Sequence, residues 1–145
     1  MISLQPWSSC EKQFIRKVEK DEERVLSIIE MAQRRHDLVK TFNPEMTEPS
    51  FIIEQYYEVI KELLVALLLR QGFRSSNHQC LFSFFAREHP AFEFEAHFIA
   101  QLSFYRNRLD YYGEKVPSSV YEENKKLFED VITLILKLLG ENKEA

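Results

Sequence analysis

The stretch "LLVALLL", Leu63 to Leu69, places apolar side chains on every side of the helix it would form. A helix of that kind has no face to give to water, so it belongs in the centre of a bundle or at a subunit interface. The run is far too short to span a bilayer, and no signal peptide precedes it, so the expected address is cytoplasmic with no membrane contact. The surrounding helix is expected to begin at Ser50, a suitable N-cap, and to run to Gln71, with Gly72 at the left-handed C′ position.

Other segments can be arranged around this centre. A first helix over Ser9 to Thr41 is read from Phe14, Val18, Val25, Ile28, Ala32 and Val39, which recur at helical spacing. "EKDEERV" is its solvated face, and the prolines of "NPEMTEPS" end it. The third helix starts at Ser75 or Ser76 and stops before Pro90. The fourth spans Phe92 to Tyr112 and ends at Gly113. The fifth opens with Ser119 and Glu122 at capping-box spacing, runs to Gly140, and leaves "ENKEA" as a frayed tail. No strand-like alternation of any length is visible. The expectation is an all-α, up-and-down bundle of about five helices in a single domain over residues 1–145.

The formal charge is -4, from 19 basic and 23 acidic residues, which argues against an overall electrostatic grip on nucleic acid. A local basic patch remains open, and "QRRHD" in the first helix is the most basic short one, with His36 read as a surface residue. Cys10 and Cys80 are far apart without metal-like spacing, which reads as reduced, inert thiols. His89, Glu93 and His97 have a superficial ligand spacing, but Pro90 interrupts the helix they would need. Neither a metal nor a cofactor is expected.

Chemistry concentrates in "YRNRLDYYG", Tyr105 to Gly113. On a helical wheel, Phe94, Phe98, Leu102, Tyr105, Leu109 and Tyr112 share one face. Arg106 falls at its margin, with Asp110 one turn further on. Two readings of Arg106 stand. It can lay its stem on the core and pair with Asp110. Alternatively, it can offer a fixed fork of donors to a phosphate, with Asn107 adding hydrogen bonds and Tyr111 or Tyr112 a stacking face.

The segments "YYEVIKELLVALLLRQGFRSSNHQCLFSFF" and "RNRLDYYG" together resemble the HEPN superfamily (higher eukaryotes and prokaryotes nucleotide-binding domains), over roughly Phe51 to Leu139. The resemblance implies a small, HEPN-like helical bundle that is often homodimeric. It also implies an arginine-centred motif lining a cleft shared by two subunits, where active members cleave RNA without metal. Arg106 matches the motif arginine and Asn107 its polar neighbour. Tyr111 stands where the motif histidine is found, and "R-x-x-L-D-Y" resembles a variant branch common in small prokaryotic proteins. Histidine suits proton transfer near neutrality, whereas tyrosine, with an ordinary pKa of about 10, is a poor base there. Glu58 and Glu62 lie one turn apart on the second helix. The resemblance implies that an acidic residue there can approach the arginine motif across the bundle, and a solvated helix face with Lys61 is the other reading. His78 occupies a position where the family often has histidine, either packing the start of the third helix or serving the site.

Three functions follow from these expectations. The first is an RNA- or nucleotide-binding, toxin-like module using Arg106, Arg108, Asp110, Tyr112, Glu58 and His78, paired with a small nucleotidyltransferase antitoxin. The second is a dimeric protein-interaction bundle without a nucleic-acid role. The third is a metal-independent endoribonuclease with Arg106, Asn107 and Tyr111 as catalytic residues.

Overall fold

The computed structural model describes residues 2–141, with the side chain at 141 left out. Its centre is the helix containing the apolar run. This helix covers Pro49–Arg70 and is α3 in chain order. It follows α1 (Trp7–Gln13), strand β1 (Ile15–Lys17) and α2 (Glu22–Lys40). After it come strand β2 (Phe73–Ser75), α4 (His78–Glu88), a 3-10 turn (Pro90–Phe92), α5 (Glu93–Tyr112) and α6 (Ser118–Glu141). The fold is an all-α bundle of six helices among the described residues, with one two-stranded sheet. α3 packs against α2, α4, α5 and α6, which is why it needs apolar residues all round. Leu63, Leu64 and Leu67 are all buried in its second half. Burying each such side chain stabilises the fold by about 1.5–3 kcal/mol.

α3 begins one residue before the expected start. Pro49 supplies a helical φ at the first position, and Glu48 is the cap, accepting from the Ser50 N–H at 3.4 Å. Ser50 lies inside the first turn and is fully buried. Its hydroxyl donates to Glu48 Oε1 at 3.1 Å and accepts from the Val116 N–H at 2.7 Å, tying the approach of α6 to the start of α3. Ser50→Ala leaves the Val116 donor without its buried partner. A loss of about 1–2 kcal/mol is expected in urea unfolding, and a change below about 0.3 kcal/mol would show that water replaces the hydroxyl. At the other end, Gly72 has φ +86 and Gly113 closes α5 with φ +64, both in the left-handed region that glycine enters without strain.

The single first helix over Ser9 to Thr41 is corrected. α1 ends at Gln13, and Ile15–Lys17 pairs antiparallel with Phe73–Ser75, with Ile15 opposite Ser75, Arg16 opposite Arg74 and Lys17 opposite Phe73. The helical pattern resumes only at Glu22, where Asp21 caps α2 by accepting from the Arg24 N–H at 3.0 Å. Glu22 and Glu23 follow in the first turn and favour its positive dipole end. α4 starts at His78, later than expected, because Ser75 is used in the strand. Asn77 caps the helix by accepting from the Gln79 N–H at 2.7 Å. α5 begins at Glu93 after the 3-10 turn. In α6, Ser119 is the second helical residue rather than the cap, and the helix passes through Gly140 to Glu141. The frayed tail expected beyond lies outside the described residues.

The reduced-thiol expectation is also corrected. Cys10 and Cys80 form a disulfide with a Cα–Cα distance of 5.5 Å, both fully buried, linking α1 to α4 across 70 residues of sequence. No described helix is long and apolar enough to cross a membrane.

Candidate functional site

α3 carries charge on only part of its surface. Glu54, Glu58 and Lys61 follow at helical spacing along one side, and the packing of α5 against α3 brings Arg106 and Asp110 to them. Arg106 Nε lies 3.0 Å from Asp110 Oδ2 and 3.7 Å from Glu58 Oε1. Nε is shielded from water but its N–H is not aligned on either acceptor, so the attraction is one of charge rather than of a linear hydrogen bond. The other edge of the guanidinium makes a single 3.5 Å contact, from Nη1 to Asn107 Oδ1. Glu58 also receives Lys61 Nζ at 2.6 Å, with the two side chains only 16% and 17% exposed. The pair is therefore half-sheltered, not a solvated face.

Two side chains feel this crowding. Burial, followed by the neighbouring Asp110 carboxyl, pushes Glu54 above the usual carboxylate range, against the opposing pull of Arg106. His78 is exposed as a whole residue, yet partial desolvation of its ring, followed by the charge of Lys61, holds it below the usual imidazole range, with Arg106 acting the same way and Glu58 opposing. Beneath them, Tyr57 donates its hydroxyl to Ser103 Oγ at 3.3 Å, and Gln79 Nε2 donates to the same atom at 3.0 Å.

These shifts act on stability with opposite signs. A native Glu54 that holds its proton more tightly than the unfolded chain favours folding below the ordinary value of 4.5, and the benefit is lost as pH rises through the raised value. A native His78 that resists protonation favours folding above its ordinary 6.5, and that benefit is lost as pH falls toward the lowered value. Urea melts between pH 4 and pH 8 are expected to show Glu54→Gln gaining stability on wild type as pH rises. His78→Gln should gain on wild type as pH falls. Each difference should be a few tenths of a kcal/mol, because solvent screens both groups. Variants that run parallel to wild type across this window would contradict the assignment.

Of the residues singled out in the sequence, the structure brings together Arg106, Asp110 and Glu58, with His78 in electrostatic reach and Asn107 at the edge of the guanidinium. Arg108 and Tyr112 form a separate exposed group at the end of α5. Arg108 donates to both carboxylate oxygens of Glu114, 2.9 Å from Nε to Oε2, and its guanidinium lies over the Tyr112 ring at 4.5 Å. Tyr111 is 73% exposed, on the solvent side of α5. Two members of the expected apolar face, Phe94 and Tyr112, are exposed instead, at 57% and 70%. They lie at the ends of α5, where the helix outruns its neighbours.

Glu54, Lys61, Tyr57 and Ser103 are neighbours that sequence reasoning did not assign. A signal existed for the first two, since charged residues at repeating helical spacing on an otherwise apolar helix must either pair or mark an opening. The basic patch "QRRHD" is used internally. Arg34 pairs with Glu30, and Arg35 reaches Gln55 and Glu62 at 3.0 and 3.3 Å. His36 is corrected from a surface residue to a half-buried one, with Nε2 2.6 Å from Glu129 Oε2. Tyr56 donates to the same carboxylate at 2.9 Å. Of the superficial metal set, His97 Nδ1 meets the Ile2 carbonyl at 2.8 Å, while His89 closes α4.

No family model, curated protein or solved structure matches the chain.

Proposed function

We propose that the chain is a HEPN-type module that binds RNA or a nucleotide through Arg106. The observation that carries this reading is the asymmetry of that side chain. Asp110 and Glu58 hold its Nε edge, and the Nη edge is left with one long contact to Asn107. A guanidinium drawn by charge toward two carboxylates on one edge and open on the other presents donors in the geometry a phosphate accepts bidentately. The approach of Glu58 from α3 is the arrangement the resemblance leads one to expect. A homodimer would set two such sites side by side. Tyr111 and Tyr112 are exposed, which leaves them accessible to the nucleotidyltransferase partner that the toxin-like role implies.

The test is a fluorescence-anisotropy titration of a labelled single-stranded RNA pool, with ATP as competitor, in low salt and EDTA. Wild type is expected to bind, and Arg106→Ala to bind at least about tenfold more weakly. Equal binding by the two proteins would sink the assignment. No binding by wild type would favour the interaction-bundle reading.

One observation favours an RNase as a second reading. His78 lies within electrostatic reach of Arg106, which helps hold its pKa below the usual imidazole range, and an unprotonated imidazole can accept the proton of an RNA 2′-hydroxyl. That reading requires cleavage in EDTA that is lost in both Arg106→Ala and His78→Gln.

A further inference from the structure

Between α2, α3, β2 and the start of α4 the bundle forms a half-open pocket of about 410 Å³. Its walls are apolar and mostly aliphatic: Ile28 from α2, Val65, Leu68 and Leu69 from α3, Phe73 from β2 and Leu81 from α4. Four polar residues complete the lining, and two of them are the exposed arginines Arg24 and Arg74, joined by Ser75 and His78. That volume lies in the range usual for small-molecule sites, and apolar walls with a few convergent polar groups are their usual composition.

The charges at the rim have no internal partner. Neither Arg24 nor Arg74 makes an ion pair among the described residues. Two acids near Arg24 have other contacts. Asp21 accepts the backbone N–H of Arg24 at 3.0 Å, and Glu62, in the adjoining shallow groove, lies 3.3 Å from Arg35. Arg74 also stands directly opposite Arg16 in the two-stranded sheet, and both line a second cavity together with Lys12. Like charges facing each other across a strand pair are destabilising, and an anion at this rim would relieve that repulsion.

We propose that this cavity binds an amphipathic anion, an alkyl chain ending in a carboxylate or phosphate. The chain would lie among the aliphatic walls and the head at Arg24 and Arg74. The cavity shares His78 with the surroundings of Arg106, but Arg24 and Arg74 play no part in that site.

The test is isothermal titration calorimetry of the full chain with sodium decanoate, decyl phosphate and 1-decanol, each below its aggregation concentration. At least one of the two anions is expected to bind at least about tenfold more tightly than the alcohol, and the preferred anion identifies the head group. Arg24→Ala with Arg74→Ala, both at exposed positions that should not disturb folding, is expected to remove about that factor for the anion while leaving decanol unchanged. Val65→Phe is expected to weaken all three by filling the wall. The proposal is overturned if no probe binds or if decanol matches the anions. It is equally overturned if the double arginine variant titrates as wild type, or if Val65→Phe binds as wild type with its fold intact by circular dichroism.

Discussion

Arg70→Ala is expected to lower the unfolding free energy by about 3 kcal/mol, the largest effect of any single substitution considered for this chain. Arg70 ends α3 with its side chain only 4% exposed. Its Nε donates to Glu22 Oε1 at 3.0 Å and its Nη2 to Glu22 Oε2 at 2.6 Å, a bidentate pair with the first residue of α2. Its Nη1 donates to the Leu139 carbonyl near the end of α6. One guanidinium thus joins the start of α2 to the ends of α3 and α6. Its charge is also favourably placed at the negative dipole ends of α3 and α6.

Truncation leaves a void and a carbonyl without its donor, and it removes the Arg70 charge from beside Glu22. Because Glu22 is 46% exposed, water recovers part of its solvation. The loss should therefore fall at the low end of the 3–5 kcal/mol typical of broken buried pairs, about 3 kcal/mol. Arg70→Met, which keeps most of the volume, should recover part of it. Urea unfolding with an unchanged slope is the measurement. A loss under about 1 kcal/mol would mean that the three helix ends hold together without this link.

The second large effect is loss of the Cys10–Cys80 bond. Closing a loop of 70 residues removes about 4 kcal/mol of chain entropy from the unfolded state in the loop-closure model, and measured values commonly reach 2–4 kcal/mol. The consequence should be local as well as global. α1 is a seven-residue helix that packs on α4, and β1 is a three-residue strand, so neither is long enough to persist unaided. In the Cys10→Ala/Cys80→Ala variant, the expected result is faster amide exchange over residues 7–17 and a lower melting temperature. Wild type melted in reductant should coincide with that variant. Melting of wild type that is indifferent to reductant would contradict the bond.

These two cases show where local sequence patterns stop being informative. The central helix was legible because its apolar run admits only one environment, and the ends of α3 and α5 were legible because Gly72 and Gly113 occupy positions where a left-handed residue is needed. The break between α1 and α2 was not. Phe14, Val18 and Val25 keep helical spacing across it, and the strand that captures Ile15–Lys17 lies more than fifty residues away in the chain. Asp21 with Glu22 and Glu23 was a readable helix start, outweighed by the continuity of the apolar pattern. The disulfide is non-local in the same way.

At the candidate site, the Arg106–Asp110 spacing of one turn was legible, while the approach of Glu58 rather than Glu62 was not. Glu54 and Lys61 needed knowledge of which side of α3 meets α5. Their pairing could not come from either helix alone. The cavity bounded by Arg24 and Arg74 is further from view, since its walls come from four separate elements.

The central claim is that Arg106 acts as an oriented fork and not merely as a positive charge. Arg106→Lys keeps the charge but loses the planar pair of donors. The decisive measurement is the dissociation constant of this variant for the labelled single-stranded RNA pool, beside wild type and Arg106→Ala. The account predicts that the lysine variant falls within about threefold of the alanine variant, both about tenfold weaker than wild type. A lysine variant that binds as tightly as wild type would contradict it, and would reduce the role of Asp110 and Glu58 to charge balance.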